Sequence, residues 1–318
     1  MGLTNFQKQL CNRLQNGLAI CERPFEELAK SIKADEKTIL SETNKLKQQG
    51  IIRRISALIN YRVLGMIGTL VAAHIPEDNI REITEAVNAL EEVSHNYLRK
   101  HYYNLWFTLQ GRTEEQIKVM LSKLSGRFGI DFHSLPVERV FKLDVRFDAE
   151  SEGELMAQEL QPIPEEGIVE LSEEQKLVLS KLQEDLDITA RPFESLGEKG
   201  LGIIWRLIDE GVIRRIAAVV DHRKLGFTAN VLFVSEVPQN RIIEAGGKLA
   251  MFGIVSHCYQ RGTFEKWPYN LFAMMHSRSF GDIQYTIDKF VKEENIELFE
   301  LLPTAAELKK QLVKYQFY

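Results

Sequence analysis

The chain is poor in the features that mark several common protein classes. It has 3 cysteines in 318 residues, Cys11, Cys21 and Cys258. They form no Cys-x-x-Cys pair and leave one over, which argues against a disulfide framework or a zinc site. No apolar run approaches the ~20 residues that cross a bilayer. Met1 to Leu10 lacks the basic-then-apolar layout of a secretory signal, so a cytoplasmic, membrane-free protein is expected. Basic residues are no commoner than acidic ones: 40 Lys and Arg stand against 45 Asp and Glu, for a formal net charge of −5. That balance argues against nucleic acid as a partner. Glycine-rich phosphate loops are missing too, because Gly65 to Gly68 and Gly246-Gly247 are too isolated to cradle a diphosphate. No nicotinamide or flavin cofactor is therefore expected.

What the chain does have is a sentence written twice. Val93-Ser94-His95-Asn96-Tyr97-Leu98-Arg99, then Tyr103-Asn104-Leu105-Trp106, returns as Val255-Ser256-His257-Cys258-Tyr259-Gln260-Arg261, then Tyr269-Asn270-Leu271-Phe272. Arg23-Pro24-Phe25-Glu26 matches Arg191-Pro192-Phe193-Glu194, and Gly50-Ile51-Ile52-Arg53-Arg54-Ile55 matches Gly211-Val212-Ile213-Arg214-Arg215-Ile216. Leu64-Gly65 pairs with Leu225-Gly226, and Leu135-Pro136 with Leu302-Pro303. The period is far too long for a solenoid, so one domain is duplicated. The stretch between the copies, 148–170, is Glu-rich without Lys or Arg and reads as an acidic linker.

Each copy changes period once. Leu3, Phe6, Leu10, Leu14 and Leu18 keep helical spacing. Pro24 suits a helix first turn, Asp35 an N-cap and Gly50 a stop, which predicts a helix-turn-helix. Ile51 to Asn60 looks extended, as a wing would. Thereafter strand and helix alternate: strand 67–75, helix 78–91, strand 93–98, strand 103–109, helix 113–124 and strand 130–135. That β-α-β-β-α-β order is the split βαβ, or ferredoxin-like, pattern. The expected class is α+β, a tandem duplication of a winged helix-turn-helix followed by a ferredoxin-like βαββαβ sandwich. The expected units are 1–60, 61–147, the linker 148–170, a degenerate helix-turn-helix at 171–221, and 222–318. Ala305 to Tyr318 reads as an amphipathic docking helix. The two modules are expected to pair within the chain, with further homo-oligomerisation open.

This order resembles the Lrp/AsnC regulator family, through Leu28-Ala29 and Gly50 to Arg53 above all. A DNA reader lines its second helix with basic and amide groups. Here that helix opens on Asp35 and Glu36, and the second copy has lost seven residues between Pro192 and Gly211 relative to Pro24 and Gly50. A helix bundle kept for packing fits better than a repressor.

Strand alternation places His95, Tyr97 and Arg99 on one face, and likewise His257, Tyr259 and Arg261. A lone strand histidine is more often structural. Two copies with Tyr and Arg at fixed offsets suit a large, flat, anionic ligand: Arg grips carboxylates, aromatics cover a ring system, and imidazole ligates iron or moves protons. His74, His133 and His222 read as structural or surface residues, and Met274-Met275 as core. The Cys258 thiol points away from the His face and is expected to be packed.

The second copy, Ser256 to Arg261 followed by Trp267-Pro268-Tyr269-Asn270-Leu271-Phe272-Ala273-Met274-Met275-His276, is similar to the siroheme decarboxylases, with Asp221 to Phe227 and Asn230 in the same pattern. The family occurs as two homologous subunits or one fused chain. The resemblance implies loss of CO2 from the two acetates (C12 and C18) of siroheme, giving didecarboxysiroheme for haem d1 or alternative haem biosynthesis. It implies no resident cofactor, because the iron comes with the substrate. Candidate catalytic residues are His257, Tyr259, Arg261, His95, Tyr97 and Arg99. Candidate substrate contacts are Arg214, Arg215, Arg53, Arg54, Trp267, Tyr269, Asn270, His276, His101, Tyr103 and Asn104. His257, His95 or His276 could ligate the substrate iron. The second copy, with its fuller motif, is the expected seat of binding. The rival functions are a ligand-responsive regulator and a non-catalytic haem or siroheme carrier.

Overall fold

The computed structural model describes residues 2–143, 145–151, 155–156 and 167–311. Helix α1 (Asn5–Asn16) opens on a capping box between Thr4 and Gln7. Helix α2 (Pro24–Ser31) begins at its proline, and α3 (Glu36–Gln48) at Asp35, whose carboxylate accepts from the Thr38 amide. Gly50 ends α3 with φ +67°, a left-handed conformation that favours glycine. In the second copy α2 is reduced to a 3-10 turn, Glu194–Leu196, and the helix after it has 10 residues against 13 in α3, so both shortenings share the missing residues.

The expected wing is extended and pairs across the duplication. Strand β1 (Ile52–Ile59) pairs antiparallel with its counterpart from the other copy, 213–220, in a two-stranded sheet. One apolar core, with Leu14, Phe25, Ile39, Ile55, Leu207 and Ile216 among its members, runs through both helix-turn-helix regions. They therefore pack as a single body.

The ferredoxin-like part of the first copy runs β2 (Ile67–Ala73), α4 (Ile80–Asn88), β3 (Val93–Arg99), β4 (Leu105–Gly111), α5 (Glu114–Phe128) and β5 (Phe132–Leu143). The second copy follows with α6 (Glu173–Leu182), α7 (Gly200–Asp209), β6 (Ile213–Val220), β7 (Ala229–Ser235), α8 (Ile242–Met251), β8 (Val255–Arg261), β9 (Leu271–Ser277), α9 (Phe280–Glu293) and β10 (Phe299–Lys310). The expected β-α-β-β-α-β order holds in both.

The last strand of each copy is longer than expected, 12 residues in β5 and in β10, and serves both copies. Phe132–Pro136 pairs with β2 of its own copy, then Val137–Leu143 pairs with β8 of the other. Phe299–Pro303 pairs with β7, then Thr304–Lys310 with β3. The prolines sit at the handover, where a missing N–H costs least. Their carbonyls are taken up by the opposite copy: Pro136 O accepts from Gly262 N at 3.1 Å, and Pro303 O from Lys100 N at 3.4 Å. The result is a closed barrel in the order β10-β3-β4-β2-β5-β8-β9-β7.

Ala305 to Tyr318 was expected to be helical, and this is corrected. The segment is strand to Lys310, and 312–318 lie outside the described residues. Helical periodicity lost to the open edge of β3, whose backbone groups need partners.

Helices α4 and α5 cover one outer face of the barrel and α8 and α9 the other, each over its own apolar layer. Gly246 of α8 has no room for a Cβ, which would stand 2.4 Å from the Phe141 ring of β5. That close approach ties the second copy's helix to the first copy's strand. The acidic linker packs at its start: Phe147 and Leu155 form a bridge and are buried with Ala149. Asn12 of α1 holds this turn, accepting from Ala149 N and donating to Asp148.

Candidate functional site

Both copies of the polar motif face into the barrel. In each, the serine before the histidine fixes the ring: Ser94 Oγ lies 2.8 Å from His95 Nδ1, and Ser256 Oγ 2.9 Å from His257 Nδ1. Nε2 is then the nitrogen left for other chemistry. Each tyrosine stacks loosely over its histidine, at 6.2 Å for His95–Tyr97 and 6.1 Å for His257–Tyr259. Each arginine lies over its tyrosine, Arg99 at 5.4 Å and Arg261 at 4.7 Å.

The arginines also staple the copies together. Arg99 Nη1 donates to Leu302 O at 2.8 Å, and Arg261 Nη1 to Leu135 O at 2.9 Å. Both carbonyls belong to the residue before the handover proline. Both guanidinium groups are buried, and their Nε atoms have no partner among the described residues. Those two buried N–H donors remain for an acceptor inside the barrel.

The strand beside each motif differs. On the β3–β10 seam, His95 stands opposite Lys310, Tyr97 opposite Glu307 and Arg99 opposite Thr304. On the β5–β8 seam, His257 stands opposite Leu143, Tyr259 opposite Val140 and Arg261 opposite Val137. One seam is polar and the other apolar. The polar seam also collects the second copy's distinctive residues. Arg99 donates to Thr304 Oγ1 (3.1 Å), Thr304 donates to Asn230 Oδ1 (2.8 Å), and Asn230 Nδ2 lies 3.4 Å from His276 Nδ1.

His222 joins them. Read from the sequence as a turn residue, it is 1% exposed, with its ring 5.1 Å from His276 and 5.4 Å from Phe147. Its Nδ1 is 3.3 Å from Lys310 Nζ. Phe147 also abuts His276 at 5.1 Å. It is held there by Gln15, whose amide donates to Phe147 O and accepts from Phe147 N, at 2.9 and 2.8 Å.

Burial sets the electrostatics. Desolvation, with neighbouring cations, pulls His95 down to about 4 and His257 and His222 to about 3. Burial likewise holds His276 well below the usual imidazole range. All four are therefore neutral at physiological pH. Burial, then Glu307, pushes the Tyr97 phenol up to about 12, so it stays a donor. Arg99 and Arg261 are lowered by burial only to about 10 and keep their charge.

The other sequence candidates also make bonds of their own, and Arg53 and Arg54 stand near enough to His95, and Arg214 to His257, to act on their charge. Asn104 and Asn270 each clamp a neighbouring backbone, Asn104 bonding both N–H and C=O of Ile75 and Asn270 those of Val237. Trp267, Tyr269 and Tyr103 belong to the apolar filling of the barrel, with Trp106 and Phe272. His101 Nε2 lies 2.9 Å from Glu300, which also accepts from the Tyr269 hydroxyl at 2.6 Å. Arg53 pairs with Asp221 at 2.9 Å and approaches Glu307 at 3.7 Å. Arg54 Nε donates to Ser56, Arg214 Nη1 to Leu143 O, and Arg215 stands opposite Leu58 on the β1–β6 ribbon. His74 stacks on Tyr102 and His133 on Phe264. Cys258 faces α8 as expected, its thiol 3.6 Å from Gly246 O.

Lys310, Glu307 and His222 were missed in the sequence. The signal for His222 was available, since Asp221-His222 occupies the place of Asn60-Tyr61 after β1. Lys310 had none, because its role depends on which strand lies beside it.

The family model for an AsnC-like ligand-binding domain matches residues 63–142 and 224–309. The model for a siroheme decarboxylase NirDL-like helix-turn-helix domain matches residues 7–53. A siroheme decarboxylase of Hydrogenobacter thermophilus is 34% identical over 314 residues, covering 95% of this chain and 92% of that protein. The siroheme decarboxylase alpha subunit of Desulfovibrio desulfuricans is 35% identical over 145 residues, 46% of this chain and 84% of the subunit. The crystal structure of the siroheme decarboxylase NirDL in complex with an iron-uroporphyrin III analogue superposes with TM-score 0.73 at 33% identity, over 99% of this chain and 95% of that one.

Proposed function

The chain belongs to the siroheme decarboxylase family, and from that premise we propose that it removes CO2 from the C12 and C18 acetates of siroheme, with the reacting acetate held at the β3–β10 seam. The observation that carries this reading is the partly buried run of Arg99, Thr304, Asn230 and His276 beside His95 and Lys310.

The chemistry follows from the charges. Each acetate that is lost becomes a methyl group, so a carboxylate and one proton give CO2 and a C–H bond. The electron pair left by CO2 needs a sink, and protonating the adjacent pyrrole carbon supplies one. The exchange is redox-neutral. In the ligand-free site the imidazoles are neutral because burial penalises their charge. A polycarboxylate entering this pocket raises their proton affinity, so the substrate itself turns a neutral imidazole into an acid. The leftover Nε donors of Arg99 and Arg261 suit carboxylate oxygens. Tyr97 and Tyr259, held protonated, can donate to substrate or to the acid. His95, His257 or His276 could ligate the substrate iron. Two fused, unequal modules support a chain that pairs internally, working in the cytoplasm on a free tetrapyrrole. Among the described residues no helix is long and apolar enough to cross a membrane.

The test is anaerobic incubation with siroheme and mass analysis of the tetrapyrrole. Loss of two CO2 units is expected. Siroheme bound but unchanged would make the protein a carrier, and specific, salt-sensitive duplex binding would make it a regulator.

A further inference from the structure

The reaction consumes a proton for every carboxylate lost, and the histidines that could supply it are buried. A route from solvent is needed. We propose that Lys310 and His222 form that route, with the Lys310 ammonium passing a proton to His222 Nδ1 and His222 Nε2 releasing it inside the barrel. This rests on the decarboxylase reading above.

The geometry joins outside to inside. Lys310 lines a cavity of about 370 Å³ on the barrel rim, with Asn88, Glu307, Leu308, Lys309 and Gln311. Its Nζ lies 3.3 Å from His222 Nδ1 and 3.7 Å from Glu307 Oε2. The far nitrogen of His222, Nε2, is buried and has no hydrogen-bond partner among the described residues. Beside it stands His276, and Lys310 is itself opposite His95 on the seam. A buried donor without an acceptor costs about 1–3 kcal/mol, so an unpartnered Nε2 in this wall calls for a purpose. Glu307, Arg53 and Asp221 surround the pair with charge: Asp221 to Arg53 at 2.9 Å, Arg53 to Glu307 at 3.7 Å.

The transfer is balanced. The ammonium loses a proton to Nδ1 as Nε2 gives one up, which leaves His222 as its Nδ1–H tautomer until a ring flip restores the Nε2–H form. The proton ends on the substrate carbon that loses CO2. Lys310 then regains a proton from water in the cavity.

The decisive comparison is Lys310→Ala against Lys310→Arg, with His222→Gln beside them. Arginine keeps the charge but holds its proton too tightly to pass on. The relay predicts that all three lower kcat by about 100-fold or more, the low end for assisted proton transfer, with KM for siroheme changed far less. Methylammonium should restore part of the Lys310→Ala rate and none of the His222→Gln rate. Thermal melting establishes that each variant is folded. Wild-type kcat in Lys310→Arg would make Lys310 a carboxylate-holding charge and overturn the relay, as would unchanged kcat in His222→Gln. If the wild-type protein itself leaves siroheme intact, the decarboxylase reading fails instead.

Discussion

The two seams of the barrel carry the same motif beside different neighbours. On β8, His257, Tyr259 and Arg261 lie along Leu143, Val140 and Val137. On β3, His95, Tyr97 and Arg99 lie along Lys310, Glu307 and Thr304. The duplicated strand supplies the candidate site residues, and the crossing strand decides whether they sit in an apolar or a polar wall. A duplicated domain can thus specialise by changing a strand that the motif itself does not contain. On the proposed reading, the polar seam holds the reacting carboxylate, and the apolar seam suits the flank of a macrocycle.

The sharpest way to break this comparison is to remove each histidine in turn. His95→Ala should lower siroheme turnover by on the order of 100-fold, and His257→Ala by at least about tenfold, as general acid–base groups do. Anaerobic turnover measured by mass analysis would decide. A larger loss for His257→Ala would move the reaction to the apolar seam.

The next effect is on stability. Arg99→Met and Arg261→Met each remove a buried, charge-assisted bond to the carbonyl before a handover proline, at a cost of about 1–3 kcal/mol. Arg99→Met should cost more, because Arg99 also bonds Thr304. Urea unfolding midpoints measure this, and an equal cost would mean that the Thr304 link contributes nothing.

Gln15→Ala acts more locally. It frees both backbone groups of Phe147, for about 1–2 kcal/mol, and loosens the ring against His222 and His276. A small drop in melting temperature should come with weaker siroheme binding in an absorbance titration. Unchanged binding would confine Phe147 to packing.

The gentlest test varies pH alone. His95 in the folded protein titrates at about 4 against 6.5 when free, so between those values the unfolded chain binds the extra proton. Stability from this group is complete above 6.5 and is lost as pH falls toward 4. His257 and His222, at about 3, act in the same direction over a longer range. The ligand-free melting temperature should therefore fall through this window, and less so in His95→Gln. A flat profile would mean that these rings are solvated.

Much of this was legible in the strand order, the two-copy architecture and the inward His-Tyr-Arg face. Periodicity and repetition are local properties, and Asp35, Gly50 and Pro24 take the places their chemistry predicts. Asn104 and Asn270 show the limit of that logic. Their repetition suggested ligand contact, yet each serves a strand end, because a duplicated fold repeats its structural bonds as faithfully as its functional ones.

What the sequence alone determined is the module, its duplication, and the alternation that turns three polar side chains toward one face. What only the tertiary structure decided is the company those side chains keep. Lys310 lies opposite His95, and His222 lies against His276, because β10 leaves β7 at Pro303 and closes the barrel on β3. Strand partners are chosen by unpaired backbone groups and by the shape of the whole sheet. No pattern within β10 names the strand beside it.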